Sequence, residues 1–194
     1  MMTTFLMVVL VVVALALIWS VSIYNRIIAL IEAVQNNKRQ IDVQLDRRFK
    51  VFESLIEAVK KYMDYEKTTL KDVVALRNQA QAAKVVGDEK ARIAAEDGIS
   101  KIAAGLNVVF EQYPDLKAHE NVLQLQEEVV NTENKLAYSK QAFNDSIERY
   151  NAKKKSFVEA MVVSAFAGSL DKSFEYWALP EGQSQVREDY TVKF

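Results

Sequence analysis

The stretch NVLQLQEEVVNTENKLAYSKQAFNDSIERYNAKKKSF, from Asn121 to Phe157, decides the fold. Six apolar or aromatic side chains fall seven residues apart along it, at Val122, Val129, Leu136, Phe143, Tyr150 and Phe157. A seven-residue repeat keeps these side chains on one helical face that packs against a partner helix. The pattern predicts one long helix, from about Pro114 to Phe166, beside an equally long neighbour.

The neighbour is predicted near the start of the chain, where apolar residues follow the same spacing. One track contains Ile27, Val34, Ile41, Leu55 and Tyr62, and the other contains Ile31, Leu45, Phe52 and Val59. Arg48 and Lys38 interrupt these tracks. We expect this first helix to end near Met63, with Asp64 capping the next one. The residues alone also allow one helix that runs on to Val86.

Two shorter helices are predicted between the long ones. Gly87 is expected to end a helix, because glycine readily adopts the backbone conformation in which many helices end. Asp88 is expected to cap the next helix, because its carboxylate accepts hydrogen bonds from exposed N–H groups. The second of these helices extends from about Glu89 to Gln112. With only 2 Pro and 5 Gly in 194 residues, the composition favours long helices over a sheet.

The first 25 residues contain no charged side chain, and Phe5 to Ile23 is almost wholly apolar. About 20 such residues in a helix span a hydrocarbon core about 30 Å thick. A secretory signal peptide would have a basic start, a shorter apolar stretch and a small-residue cleavage site, so we expect an uncleaved anchor. Trp19 and Tyr24 are suited to the membrane interface.

The basic residues next to this segment predict its orientation. Arg26, Lys38 and Arg39 follow the span, and no basic side chain precedes it. The positive-inside rule therefore predicts a single-pass protein of the cell membrane whose remaining chain is cytoplasmic.

Composition also excludes several kinds of function. The formal net charge is −1, so no basic excess is available to bind nucleic acid. The chain has no cysteine, which excludes disulfides, thiolate metal sites and a cysteine nucleophile.

The single histidine, His119, lies beside Glu120 in a stretch better explained as a helix start. Pro114 ends the preceding helix, and Asn121 with Gln124 three residues later resembles a capping box. A catalytic histidine needs an oriented partner and a nucleophile, which the nearby residues do not supply. We expect no enzyme activity, no cofactor and no metal centre, since a carboxylate-bridged site would need two Glu-x-x-His pairs. A Mg²⁺ or Ca²⁺ site made of carboxylates alone stays open.

Several segments together resemble the LemA family. They are DVQLDRRF (Asp42 to Phe49), YPDLKAHEN (Tyr113 to Asn121) and TENKLAYSKQAFNDSIERYN (Thr132 to Asn151). The resemblance implies an antiparallel up-and-down four-helix bundle behind one N-terminal membrane helix, and it implies no catalytic residues. Val51 to Val59 and Phe157-Val158 lack prolines usual in the family, so a kink is expected to be straightened here.

The resulting prediction is an all-α protein with long first and last bundle helices. Its parts are a transmembrane anchor at 1–25, a LemA-like bundle at 26–168 and a tail at 169–194 that is partly mobile or interfacial. The apolar end of the bundle contains Phe166, Leu170, Phe174 and Trp177, which we expect to contact the membrane or a partner. The alternative, that these residues only cover the end of the bundle, is equally compatible with the sequence.

Polar residues at seam positions form the remaining candidate site. Arg48 needs a buried partner, and Glu133 and Asn144 on the last long helix are candidates for a polar layer. Such a layer more often sets helix register than binds a ligand. The predicted function is a non-enzymatic, membrane-anchored scaffold or protein-interaction module, with an accessory subunit of a membrane enzyme or transporter as the alternative. The expected partners are the lipid bilayer and unidentified proteins, and homo-oligomerisation stays open.

Overall fold

The computed structural model describes residues 1–59, 66–112 and 120–177. Within these ranges the chain is helical and contains no strand, which confirms the all-α prediction. The helices are α1 (Met2–Val59), α2 (Glu66–Val86), α3 (Glu89–Gln112), α4 (Glu120–Lys154), α5 (Phe157–Ala165) and α6 (Ala167–Leu170). The predicted features at Tyr62, Met63, Asp64, Pro114 and His119 lie outside the described residues.

The predicted boundary between α2 and α3 is confirmed in detail. Gly87 has a φ of 77°, a conformation that glycine adopts without a steric penalty. The Asp88 N–H donates to the Ala83 carbonyl at 2.9 Å and closes the end of α2. The Asp88 carboxylate accepts from the Ala91 N–H at 3.0 Å and caps the start of α3.

The predicted helix cap at Asn121 is wrong. Asn121 lies inside α4, whose described part already includes Glu120. The Gln124 amide is 3.5 Å from the Glu120 carboxylate, one turn away, rather than completing a capping box with Asn121. A polar pair four residues apart, such as Glu120 and Gln124, stabilises the surface of a helix. In the sequence it is easily mistaken for a capping box, whose two polar residues are three apart.

The residues divide into two compact units, and α1 and α4 contribute to each of them. The first unit contains residues 1–40 and 139–176. Its buried side chains come from α1, α4, α5 and α6: Ile23, Ile27, Ile31, Val34, Phe143, Ile147, Tyr150, Val162, Val163 and Leu170. The Asn37 amide also donates to the Ala142 carbonyl at 3.1 Å.

The second unit contains residues 41–138, together with Trp177 at the end of the described chain. Its apolar core combines side chains from α1, α2, α3 and α4: Phe52, Leu55, Val73, Ile99, Ala103, Val122 and Val129. Gly98 brings α2 and α3 close together, because a Cβ at that position would lie 3.0 Å from Leu76 Cδ1.

The seven-residue repeat predicts burial correctly until its last member. Val122, Val129, Leu136, Phe143 and Tyr150 are all buried, whereas Phe157 is 86% exposed. The predicted continuous helix to Phe166 is wrong, since α4 ends at Lys154 and Ser156 is extended, with φ −64° and ψ 143°. The turn redirects the chain, so Val162, Val163 and Leu170 are buried in place of Phe157. The expected straightening therefore fails at Phe157-Val158, while α1 is continuous through Val51 to Val59.

The N-terminal part of α1 differs from the rest of that helix in its exposure. Every side chain from Met1 to Ile18 is exposed, and almost all of them are apolar. Among the described residues, α1 is the one helix long and apolar enough to cross a membrane.

Candidate functional site

The second unit contains a fully buried arginine. Arg48 of α1 is 1% exposed, and its guanidinium forms an ion pair with Glu96 of α3, whose side chain is 10% exposed. Arg48 Nη2 also donates to the Glu96 carbonyl at 3.2 Å, and Nη1 donates to Ser100 Oγ at 2.8 Å. Burial of a guanidinium is costly unless its donors are satisfied, and these contacts satisfy several of them.

A carboxylate of α4 completes this cluster. Glu133 Oε1 lies 3.5 Å from Arg48 Nη1, and Ser100 Oγ donates to Glu133 Oε2 at 3.3 Å. The cluster Arg48, Glu96, Ser100 and Glu133 therefore links α1, α3 and α4 through charge-assisted contacts. We call these four residues the Arg48 cluster.

A second charged group, the Asp42 group, consists of Asp42 of α1, Lys84 of α2 and Arg92 of α3. Asp42 forms an ion pair with Arg92 of α3 and accepts from Lys84 Nζ of α2 at 2.8 Å. Burial by itself raises the pKa of Asp42, but the hydrogen bonds from Lys84 and Arg92 outweigh it and hold that pKa below 3.8. The carboxylate therefore stays ionised and links three helices.

The two groups line one cleft. Its volume is about 320 Å³, and its charged lining includes Asp42, Arg48, Arg77, Lys84, Arg92 and Glu96. Arg77 at its edge stacks over Phe49, with the guanidinium carbon 3.7 Å from the ring centre, and lies 3.4 Å from Asp46. Each cation of this lining forms an ion pair with one of the lining carboxylates, Asp42, Asp46 or Glu96.

This arrangement holds helices together better than it supports a reaction. Each ionised side chain named above already contacts an opposite charge, so the donors and acceptors point at one another rather than at a shared empty position. Within residues 1–59, 66–112 and 120–177, no group of three or more acidic, histidine or cysteine side chains is arranged to hold a metal ion. His119 lies outside the described residues.

The sequence located only part of this site. The structure brings Arg48 and Glu133 together, whereas Asn144 belongs to the first unit and is not a member of the Arg48 cluster. Glu96 and Arg92 were missed. Their signal is their spacing, since they are four residues apart on the buried face of α3 that also contains Ala95 and Ile99.

The aromatic and aliphatic side chains near the C-terminal end differ in their surroundings. In the first unit Phe166 is 53% exposed and its ring meets the Tyr24 ring edge-on at 5.3 Å. Leu170 is fully buried, and Phe174 packs edge-on against Tyr150 at 5.3 Å. Phe166 therefore remains available for the predicted membrane contact.

Leu170 and Trp177 differ from that prediction because each is enclosed by protein. Tyr150 Oη donates to the Leu170 carbonyl at 2.6 Å and accepts from the Lys172 N–H at 2.7 Å, which holds this segment against α4. In the second unit the buried Trp177 ring lies 5.4 Å from the Arg92 guanidinium carbon. Both side chains are therefore buried against protein.

Comparison with known proteins identifies the family of this chain. The sequence profile of the LemA family matches residues 37–194. The chain belongs to the LemA family. Protein LemA of Metamycoplasma hominis is 28% identical over 120 residues, which are 62% of this chain and 54% of that relative. The match thus spans about half of the relative's length, and the resemblance predicted from the motifs is confirmed.

The family match includes every residue of the Arg48 cluster and of the Asp42 group. It begins at residue 37, after the apolar part of α1. The family match therefore covers the helices from residue 37 onward. The apolar segment at the start of α1 lies before the match and is characterised by its own composition and exposure.

Proposed function

We propose that the protein is a non-enzymatic scaffold, anchored by a single membrane-spanning helix and presenting a helical bundle to protein partners. The observation that supports this most directly is the continuity of α1. One helix, Met2–Val59, is exposed and apolar over its first turns and then contributes buried residues such as Ile27 and Phe52 to the packed units. An anchor joined to a bundle without a flexible linker fixes the bundle at the membrane.

Contacts in the first unit support an antiparallel arrangement of α1 and α4. Arg26 lines a cleft with Lys153, whereas Asn37, later in α1, contacts Ala142, earlier in α4. In the second unit α2 and α3 are joined by a tight turn at Gly87 and pack together again where Gly98 meets Leu76. These pairings fit the up-and-down four-helix bundle implied by the family.

The orientation is proposed from charge. Arg26 and Arg39 are exposed just beyond the apolar segment, and such residues favour the cytoplasmic side of a span. We propose that the bundle is cytoplasmic.

The proposal that the protein is not an enzyme is supported by the pairing of its buried charges. The guanidinium of Arg48 and the carboxylate of Asp42 are engaged by helices of the same unit, which leaves them linking structural elements. Redirecting either group to a substrate would leave its partner buried without compensation.

Anchoring is tested by two matched variants of the full chain. Leu10→Arg with Val13→Arg places two charges in the apolar segment, where each costs about 2.5–3.5 kcal/mol at the centre of a span. Val85→Arg with Val86→Arg places the same charges at exposed apolar positions of α2. We expect the first variant to leave the membrane fraction on alkaline washing and the second to remain. Equal retention of both would refute the anchor.

Orientation is tested with single cysteines, since the chain has none. Val85→Cys in α2 should react with a membrane-impermeant thiol reagent only after the cells are opened. Thr3→Cys, before the apolar segment, should react in intact cells. The reverse pattern would place the bundle outside the cytoplasm.

The accessory-subunit alternative is favoured by one surface feature. Val85 and Val86 are neighbouring, strongly exposed aliphatic side chains at the end of α2. Exposed aliphatic pairs of this kind are suited to a protein contact. Crosslinking from Val85→Cys in membranes separates the two functions: one membrane enzyme or transporter captured at equal stoichiometry supports the accessory subunit, and a range of partners supports the scaffold.

A further inference from the structure

The first unit contains a basic cleft beside the end of the apolar segment. Its volume is about 380 Å³. Residues of α1 and α4 and the turn after α4 line it: Arg26, Leu30, Arg149, Ala152, Lys153 and Ser156. Three of these side chains are cationic and none is acidic, in contrast to the cleft of the second unit, whose lining includes the carboxylates of Asp42, Asp46 and Glu96.

The cations around this cleft are only partly neutralised. Lys153 forms an ion pair with Glu159 of α5, and Lys154 turns away to Asp171 at 2.8 Å. Arg26 and Arg149 are exposed and form no ion pair with any part of the chain that the structure describes. The pKa of Glu159 is lowered, first by the hydrogen bond from Lys153 and to a lesser extent by Arg26. Glu159 thus offsets only part of the charge of the three cations that line the cleft, and the cleft keeps a net positive charge.

An apolar surface adjoins the cleft. Phe157 is 86% exposed and Met161 is 64% exposed, and a spacing of four residues places them on one face of α5. Phe166, just after α5, touches Tyr24, which precedes Arg26 by two residues on α1. Exposed apolar side chains and unneutralised cations therefore occur together where α1 leaves its apolar segment.

We propose that the cleft of Arg26, Arg149 and Lys153 binds the phosphate of an anionic phospholipid, while Phe157, Met161 and Phe166 enter the adjoining acyl boundary. Guanidinium groups bind phosphate oxygens in pairs, and basic residues at the end of a membrane span are attracted to anionic headgroups. Amphipathic helices with aromatic and aliphatic side chains bind at the same depth. This inference rests on the proposed anchoring of α1, which places the cleft at headgroup level.

Continuity with the apolar segment distinguishes a lipid from a soluble anion. A free phosphate would use the two arginines but would leave Phe157 and Met161 in water. A lipid uses both features, because its headgroup and its acyl chains are joined.

The test uses the full chain with Met161→Cys, labelled with an environment-sensitive fluorophore and reconstituted into phosphatidylcholine vesicles. Phosphatidylglycerol is then included at increasing fractions. We expect the emission to shift to shorter wavelength as the anionic lipid increases. A label at Gln141→Cys, exposed on α4 about 18 Å along the helix from Lys153 at 1.5 Å per residue, should not shift.

The charge dependence is tested with Arg26→Gln combined with Arg149→Gln. Both side chains are exposed, so the fold should be retained, and circular dichroism checks this. The anionic-lipid fraction that gives half of the shift should rise, since affinity falls by about fivefold for each charge removed. Lys90→Gln, which removes an exposed cation of α3, should leave the titration unchanged.

Three results would overturn the inference. They are the same emission with and without phosphatidylglycerol, an equal effect of Lys90→Gln, and reversal of the shift by millimolar inorganic phosphate, which would assign the cleft to a soluble anion. Flotation with the vesicles separates the two proposals: a chain that fails to float refutes the anchor, whereas a chain that floats without a shift refutes only the lipid site.

Discussion

Replacement of Arg48 by methionine should strongly destabilise the protein. Methionine keeps most of the aliphatic volume, so the change removes mainly the guanidinium. Glu96, with a side chain that is 10% exposed, then loses the buried guanidinium that forms an ion pair with it, and Ser100 loses its donor at 2.8 Å. Removing one partner of a buried ion pair costs about 3–5 kcal/mol. For a chain of this size we expect the melting temperature to fall by about 6–20 °C.

The assay is thermal unfolding of the full chain in detergent micelles, followed by circular dichroism at a helical wavelength. Arg47→Met is the matched control, because Arg47 is the next residue and its side chain is 46% exposed in its ion pair with Glu128. An exposed pair contributes little because water screens it, so this variant should melt close to the unmodified protein. A loss for Arg48→Met no greater than for Arg47→Met would refute the assignment of Arg48 as a buried structural charge.

A double variant separates two quantities: the stability lost when only one partner is removed, and the net stability that the ion pair between Arg48 and Glu96 contributes. Arg48→Met with Glu96→Leu removes both buried charges, and such replacements are often neutral or stabilising by about 1–4 kcal/mol relative to the ion pair. We expect it to recover most of the stability that Arg48→Met loses. Failure to recover would show that Ser100 and Glu133, rather than Glu96, dominate the interaction with Arg48.

Four further variants test other parts of the fold by the same unfolding measurement. Gly87→Ala forces an alanine to a φ of 77° and should lower the free energy of unfolding by about 1 kcal/mol. Gly168→Ala places a Cβ that meets no atom within 4 Å, so it should be neutral or slightly stabilising. Equal effects of the two variants would contradict the turn geometry at Gly87. Tyr150→Phe leaves the Lys172 N–H without its acceptor and should cost about 1–3 kcal/mol, with no change expected if this contact is absent in solution. The folded pKa of Asp42 is lowered, so the stability from its ion pairs is complete above its unfolded value of 3.8 and is lost as the pH falls through the folded value. The difference in unfolding free energy between the unmodified protein and Asp42→Asn should therefore stay constant down to about pH 4 and shrink below it; a difference independent of pH would contradict the lowered pKa.

Periodicity predicted the long helices because it reports directly on which face of a helix is buried. Ile41 and Leu136 are both buried, as a seam of two packed helices requires. The same rule failed at Phe157, since spacing continues through a turn that contains neither glycine nor proline. What redirects the chain after Lys154 is the burial of Leu170 and the hydrogen bonds of Tyr150, which are tertiary contacts without a local signal.

The candidate site was predicted in part for a related reason. A charge at a seam position such as Arg48 is unusual enough to demand a buried partner. The partner with the shortest contacts, Glu96, lies on α3, and the repeat that relates α1 to α4 contains no information about α3. Arg92 and Asp42 pair between α3 and α1 in the same way, so spacing within α3 could mark Arg92 as buried but could not identify Asp42 as its partner.

The position of Arg48 explains why a charge is kept where an apolar residue would pack. A repeat of seven residues is nearly unchanged by a shift of one repeat, so apolar contacts alone discriminate weakly between registers of α1 and α4. Such a shift would bring Ile41 or Leu55 to the place of Arg48 and leave Glu133 and Glu96 facing an aliphatic side chain. Loss of the ion pair between Arg48 and the buried Glu96 carboxylate makes that register unfavourable by several times the thermal energy. The Arg48 cluster therefore acts against misaligned helices, and the proposed scaffold role depends on that alignment.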